Sequence, residues 1–156
     1  MAKLYGLSCP VAKTLDIVGE RWTLLVIRDL LKFKTRKFQD FEASLGVAPG
    51  ILSERLKVLE EEGIIERGFY SSHPPRAEYA LTPKGLELRM VIGALATWGS
   101  KHMHPESVLV HDACDTPVEM GYFCPHCDRK VRKVRLHKHE LQEAWGQIGE
   151  SKNLKI

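Results

Sequence analysis

The feature that most constrains the fold of this chain is a pair of short amphipathic segments joined by a tight turn. Residues 37–45 and 49–62 are predicted as helices, and Gly46, Val47 and Ala48 separate them. In the second segment Leu52, Leu56 and Leu59 recur at helical spacing and would pack against a core. Two short helices with a glycine-containing turn between them are typical of a helix-turn-helix.

The segments around this pair predict a small mixed domain. After Gly63 the hydrophobic pattern changes to one that suits two strands with a polar, proline-rich loop between them. The predicted flanking elements are two N-terminal helices, these two strands and a long final helix, at about residues 10–18, 21–31, 64–70, 77–81 and 82–102. The fold class is therefore mainly α (α+β), a winged helix-turn-helix with flanking helices, which the family resemblance described below identifies as dimerisation helices.

This arrangement predicts which side chains would contact duplex DNA. The second helix of the pair would present its N-terminal half, because free N–H groups and the positive end of the dipole lie there. The loop between the strands would act as a wing, and the segment before the pair would contact the DNA backbone. The predicted contacts are Thr35, Arg36, Lys37, Gly50, Ser53, Glu54, Lys57, His73 and Arg76. Glu54 would repel phosphate unless it accepts a hydrogen bond from cytosine N4.

Composition narrows the classes of protein further. The net charge is +3 and the pI is about 8.7, so overall charge is only weak support for a nucleic-acid partner. No apolar run is long enough to span a bilayer, and the first residues do not resemble a signal peptide, so a cytoplasmic location without membrane contact is expected. No glycine-rich phosphate loop or paired acid and base is visible, so we do not expect an enzyme.

The segment after residue 104 has a different composition and predicts a second unit. We place a DNA-binding and dimerisation domain at residues 1–104 and a small C-terminal extension at residues 105–156. The extension carries two ligand pairs, each with two residues between its members, at His111 and Cys114 and at Cys124 and Cys127. Four nitrogen and sulfur ligands at such spacing are typical of a small zinc ribbon. A redox role for Cys124 and Cys127 is the alternative.

Cys9 stands immediately before Pro10 at the predicted start of the first helix. The positive end of a helix dipole favours a negatively charged sulfur, which makes Cys9 a candidate sensor of oxidants or electrophiles. The alternative is a small packing residue without a signalling role.

Three segments of the sequence together resemble one known family. They are residues 19–30 (GERWTLLVIRDL), 52–65 (LSERLKVLEEEGII) and 74–85 (PPRAEYALTPKG), followed by Trp98 and Gly99. The chain resembles the HxlR family of winged helix-turn-helix regulators over about residues 8–104. The resemblance implies a homodimeric, cytoplasmic transcription regulator that binds double-stranded DNA, and often one that responds to reactive or toxic small molecules.

We predict a repressor that binds operator DNA as a homodimer, with a small-molecule or oxidant effector. The terminal helices would hold the dimer, which suits the apolar stripe from Leu88 to Trp98. Pro49 and Gly50 depart from the polar side chains that relatives often have at the start of the recognition helix, so base contacts cannot be transferred there. The alternative function is an RNA- or protein-interaction module that uses a zinc ribbon as its contact surface.

Overall fold

A computed structural model describes residues 4–72 and 75–134, which form six helices and five strands within these ranges. In chain order they are α1 (Pro10–Val18), α2 (Thr23–Phe33), β1 (Thr35–Lys37), α3 (Phe38–Leu45), α4 (Pro49–Glu61), β2 (Ile65–Ser72), β3 (Pro75–Leu81), α5 (Pro83–Glu87), α6 (Arg89–His102), β4 (Tyr122–Cys124) and β5 (Arg129–Val131). The mixed α+β winged-helix architecture predicted from the sequence is confirmed. No helix in the described ranges is long and apolar enough to cross a membrane.

The described chain divides into two units. The first comprises residues 4–5 and 13–92 and contains the helix-turn-helix and a three-stranded antiparallel sheet in the order β1-β3-β2. The second comprises residues 6–12 and 93–134 and contains the β4-β5 hairpin. The predicted boundary near residue 105 stays a prediction.

The core of the first unit lies between the helix-turn-helix and the sheet. Its buried side chains come from the elements on both sides: Val26, Ile27 and Leu30 from α2, Phe41 from α3, Leu52, Leu56 and Leu59 from α4, and Ile65 and Tyr79 from the sheet. Burying one such side chain stabilises a fold by about 1.5–3 kcal/mol. This packing fixes which face of α4 remains outside.

Local sequence explains the sharp turn between α3 and α4. Gly46 ends α3 in the left-handed conformation with φ of 62°, and its N–H donates to the Glu42 carbonyl. Glycine adopts that conformation at little cost because it has no Cβ atom. Pro49 then begins α4 at a position where no hydrogen bond is lost.

The structure corrects the predicted start of α3. We expected a helix from Lys37, but residues 35–37 form strand β1, which pairs with β3 in the register Thr35↔Ala80, Arg36↔Tyr79 and Lys37↔Glu78. The helix begins one residue later, at Phe38. There the Asp40 carboxylate accepts a hydrogen bond from the Lys37 N–H at 2.8 Å. Three residues give no strand periodicity, so only the partner strand identifies β1.

The long helix expected over residues 82–102 is two helices. The Thr82 hydroxyl caps α5, accepting from the Gly85 N–H at 3.1 Å and donating to the Gly63 carbonyl at 2.7 Å. Leu88 then interrupts the helical pattern, because its N–H turns back to the Gly85 carbonyl three residues earlier. A Cβ atom at Gly85 would clash with the Ile64 carbonyl, so glycine allows α5 to approach the end of β2 closely.

Candidate nucleic-acid interface

Helix α4 exposes the side that the sequence predicted. Leu52, Leu56 and Leu59 are buried, which confirms their predicted inward orientation. Gly50, Ser53, Glu54 and Lys57 are exposed on the opposite side, the first three in the N-terminal half of the helix and Lys57 just past its middle. This face therefore combines free backbone N–H groups with short and charged side chains. The predicted DNA contacts of these four residues stay predictions.

Two charged residues of this face differ in their local pairing. Lys57 Nζ lies 3.7 Å from Glu61 Oε1, and both side chains are largely exposed, so this ion pair contributes little to stability. Glu54 Oε1 lies 2.9 Å from Arg55 Nη2, whose side chain is only 9% exposed. The positive charge of the largely buried Arg55 side chain therefore compensates the negative charge of Glu54.

The three predicted contacts before the first helix of the pair all lie in strand β1 and differ in exposure. Thr35 and Lys37 are exposed, and Lys37 Nζ lies 4.5 Å from the centre of the Tyr70 ring on β2. Arg36 differs, since its side chain is only 12% exposed. Its guanidinium donates to the Asp40 carbonyl and lies 4.4 Å from the centre of the Phe33 ring. In this placement Arg36 joins β1 to α2 and α3, and its predicted DNA contact stays a prediction.

Asp29 is the buried acid of the same region. Ser44 Oγ donates to its carboxylate at 2.6 Å, and the Arg28 guanidinium donates at 2.7 Å, while Arg36 Nη2 lies 4.0 Å away. Burial raises the pKa of Asp29, but the hydrogen bonds from Ser44 and Arg28 and the charges of both arginines together lower it below the ordinary 3.8. The ionised carboxylate therefore connects α2 to α3, the first helix of the helix-turn-helix.

The hairpin of β2 and β3 forms the wing. Arg76 is exposed and pairs in register with Ser71, next to an irregularity between Phe69 and Ser71. The other predicted wing contact, His73, lies outside the described residues.

Sequence reasoning missed three side chains on β2. Phe69 and Tyr70 are large, aromatic and exposed, and Arg67 lies with its guanidinium carbon 4.9 Å from the centre of the Phe69 ring. The signal was present, because a strand whose aromatic residues follow a basic one is unusual for a purely solvated surface. Lys37 with Tyr70 and Arg67 with Phe69 are therefore two separate basic–aromatic pairs on the sheet.

The four cysteines occupy different environments, and none forms a disulfide. Cys9 is buried immediately before α1, as its predicted position at the helix start requires. A redox role for Cys9 stays a prediction.

The two Cys/His pairs of the second unit each lie in a reverse turn. His111 Nδ1 and Cys114 Sγ are 3.1 Å apart, and the Cys114 and Asp115 N–H groups donate to the His111 carbonyl. Cys124 is the last residue of β4, and Cys127 lies in the turn that follows it, before β5. There, hydrogen bonds from the Cys127 N–H and side chain and from the His126 N–H lower the pKa of Cys124. In each turn an aspartate with positive φ follows the second ligand, Asp115 at 53° and Asp128 at 49°.

These turns do not combine into one ligand group. Across residues 4–72 and 75–134, no cluster of three or more His, Cys, Asp or Glu side chains is arranged to hold a metal ion. Each turn has a pair of donors that zinc accepts, yet the two pairs do not meet as a tetrahedral set. The zinc-ribbon part of the predicted fold is therefore not shown, and zinc binding stays a prediction.

The sequence profile of the HxlR-like helix-turn-helix family matches residues 17–107. An HTH-type transcriptional regulator of Mycobacterium bovis is 37% identical to this chain over 125 residues, which cover 78% of each protein.

Solved structures agree with these sequence matches. The crystal structure of a transcription factor superposes with a TM-score of 0.72 at 31% identity, covering 84% of this chain and 95% of the other. The redox regulator HypR in its oxidized form superposes with a TM-score of 0.56 at 29% identity, covering 60% of this chain and 97% of HypR.

Proposed function

This chain belongs to the HxlR-like helix-turn-helix family and is a transcriptional regulator; on that premise we propose that it binds duplex operator DNA as a homodimer and represses transcription. The observation that carries the proposal is the exposed N-terminal half of α4. The buried leucines fix that face outward, and its free N–H groups suit phosphates and base edges.

The wing supports the same proposal. Arg76 on β3 and Lys37 on β1 are exposed cations of this sheet, and Glu78, the register partner of Lys37, lies two residues from Arg76. Cations at these positions would contact phosphates and release counterions, which makes binding dependent on salt. Thr35, Gly50 and Ser53 are small enough to allow close approach of the DNA backbone.

The homodimer part of the proposal is supported by α6. None of its 14 residues, all of which the structure describes, is buried, although the helix is rich in apolar side chains. Val91, Leu95 and Trp98 recur at positions that share one face of a helix. Such a face is costly in water, and a second copy of the chain would cover it.

We further propose that the C-terminal extension binds one zinc ion through His111, Cys114, Cys124 and Cys127. The local geometry supports this, since His111 Nδ1 lies 3.1 Å from Cys114 Sγ and Cys127 hydrogen-bonds to Cys124. Zinc would supply the cross-link between the two turns that a segment with so few buried side chains lacks. An oxidant or small-molecule effector acting at Cys9 remains part of the proposal, and HypR is a redox regulator with a similar fold.

Salt-dependent binding tests the DNA contacts. We expect the Lys57→Gln, Arg76→Gln double variant to bind the chain's own upstream DNA more weakly, with the slope of log affinity against log salt reduced by about one per lost phosphate contact. Fluorescence anisotropy at several salt concentrations measures the slope. Lys13→Gln, a change at an exposed lysine of α1, serves as the control and should leave the slope unchanged. A folded double variant with the wild-type slope would show that these two side chains do not contact phosphate.

A further inference from the structure

Arg55 lies between two carboxylates beneath the exposed face of α4. Its Nη2 atom is 2.9 Å from Glu54 Oε1, and its Nη1 atom is 3.8 Å from Glu20 Oε2, in the segment between α1 and α2. The Arg55 side chain is 9% exposed, whereas the Glu54 side chain is 55% exposed. One end of this ion pair is therefore inside the unit and the other is at the surface.

The pairing of neighbouring residues is itself informative. Consecutive residues of a helix do not face each other, so the Arg55 side chain must turn back along the helix to reach Glu54. A guanidinium keeps its charge when buried, and it needs an acid to offset the cost of leaving water. Glu54 meets that need, and in return its carboxylate is held in one place instead of sampling many rotamers.

The chemistry of a held carboxylate at this place is specific. An ionised carboxylate only accepts hydrogen bonds, and its two oxygens offer about four acceptor positions. Arg55 occupies one of them in this structure. The rest are directed to solvent on the half of α4 that would enter a major groove. Among base edges there, the cytosine N4 amino group is the donor that a glutamate typically recognises.

We propose that Glu54 is a specificity-determining residue that recognises a cytosine N4 amino group, and that Arg55 is the positioning residue that holds the Glu54 carboxylate. The inference rests on the proposed DNA binding through α4. Because Arg55 compensates the charge, Glu54 can approach the negatively charged duplex without the full repulsion of an unpaired acid.

Binding of the full chain to a randomised library of duplex half-sites tests the proposal. For the wild type we expect one position per half-site to favour C·G by about tenfold over other base pairs. Glu54→Ala should remove the preference at that position and leave the others unchanged. Arg55→Lys keeps a positive charge without the planar fork, so it should weaken the same preference, with thermal unfolding measured alongside. Glu60→Ala, at an exposed acid near the other end of α4, is the matched control and should retain the full preference.

The outcomes separate this inference from the proposed function. Wild-type protein that binds no library member would overturn DNA binding and this inference together. Specific binding by the wild type, with Glu54→Ala giving the same base preferences at every position, would overturn the role of Glu54 alone. If Arg55→Lys lowers affinity equally for all sequences while the cytosine preference persists, Arg55 only stabilises the helix and is not a positioning residue.

Discussion

At the scale of single residues, the buried carboxylate of Asp29 connects protonation to stability. Its pKa is lowered in the folded chain, so ionised Asp29 stabilises the fold fully above pH 3.8, and this contribution is lost as pH falls through the lower folded value. Asp29→Asn removes the charge that accepts hydrogen bonds from Ser44 and Arg28, and we expect a loss of about 1.5–3 kcal/mol in the free energy of unfolding at pH 7. Urea unfolding at pH values from 7 to 3 measures this loss.

The difference between wild type and Asp29→Asn should begin to shrink as pH falls below 3.8, because the unfolded carboxylate then takes up a proton, and it should disappear as pH falls through the lower folded pKa. Glu66→Gln, at an exposed acid of β2, is the control and should change stability by less than about 0.5 kcal/mol. A constant difference over the whole pH range would show that the charge of Asp29 is not what stabilises the fold.

The same residues show how far sequence reasoning can reach. Leu52, Leu56 and Leu59 were assigned correctly to the core because apolar side chains at helical spacing have one favourable environment. Arg36 was expected to contact the DNA backbone because it lies with Thr35 and Lys37 at the start of the helix-turn-helix. Its burial depends on Asp29, Asp40 and Phe33, which are brought together only by the tertiary fold. The Glu54–Arg55 pair was likewise invisible, since neighbouring helical residues normally point apart.

At the scale of elements, helices and strands with local signals were predicted well. Pro10, Gly46, Pro49 and the Thr82 cap mark ends that the structure confirms to within a few residues. Strand β1 and the break at Leu88 were missed because neither has a local signal. The first depends on pairing with β3, and the second accompanies the close approach of Gly85 to Ile64.

The two Cys/His turns of the C-terminal extension are the elements to which the proposed zinc binding belongs. If they hold zinc together, protein purified without chelator should contain about one zinc per chain by elemental analysis. Cys124→Ser should lose the metal and make residues 105–134 sensitive to protease while the helix-turn-helix stays folded, because few side chains are buried in that segment. Cys9→Ser is the matched cysteine control and should retain the metal. Metal-free protein with four freely titrating thiols would exclude the ribbon.

At the scale of the whole molecule, the exposed face of α6 determines the expected state of assembly. Leu95 is 51% exposed and Trp98 is 56% exposed, although both are large apolar residues on a regular helix. Covering one such side chain stabilises a dimer by about 1.5–3 kcal/mol. A two-fold symmetric interface would bury Leu95 and Trp98 of both copies. An operator with two half-sites also needs two copies of α4 about one DNA turn apart.

We therefore expect the wild type to sediment as a dimer at micromolar concentration, and Leu95→Gln, Trp98→Gln to give monomers or insoluble protein. The apolar area that the second copy covers is then lost, whereas the core around α2 and α4 is untouched, so circular dichroism of soluble variant should retain the helical signal. Leu86→Gln changes a leucine of α5 that is also exposed but lies off the α6 face, and it should leave the dimer intact.

Because two linked recognition helices bind one duplex far more tightly than a single recognition helix does, the monomeric variant should also lose most of its affinity for an operator with two half-sites. Its affinity for a single half-site should be unchanged. A wild type that sediments as a monomer at micromolar concentration would refute the homodimer.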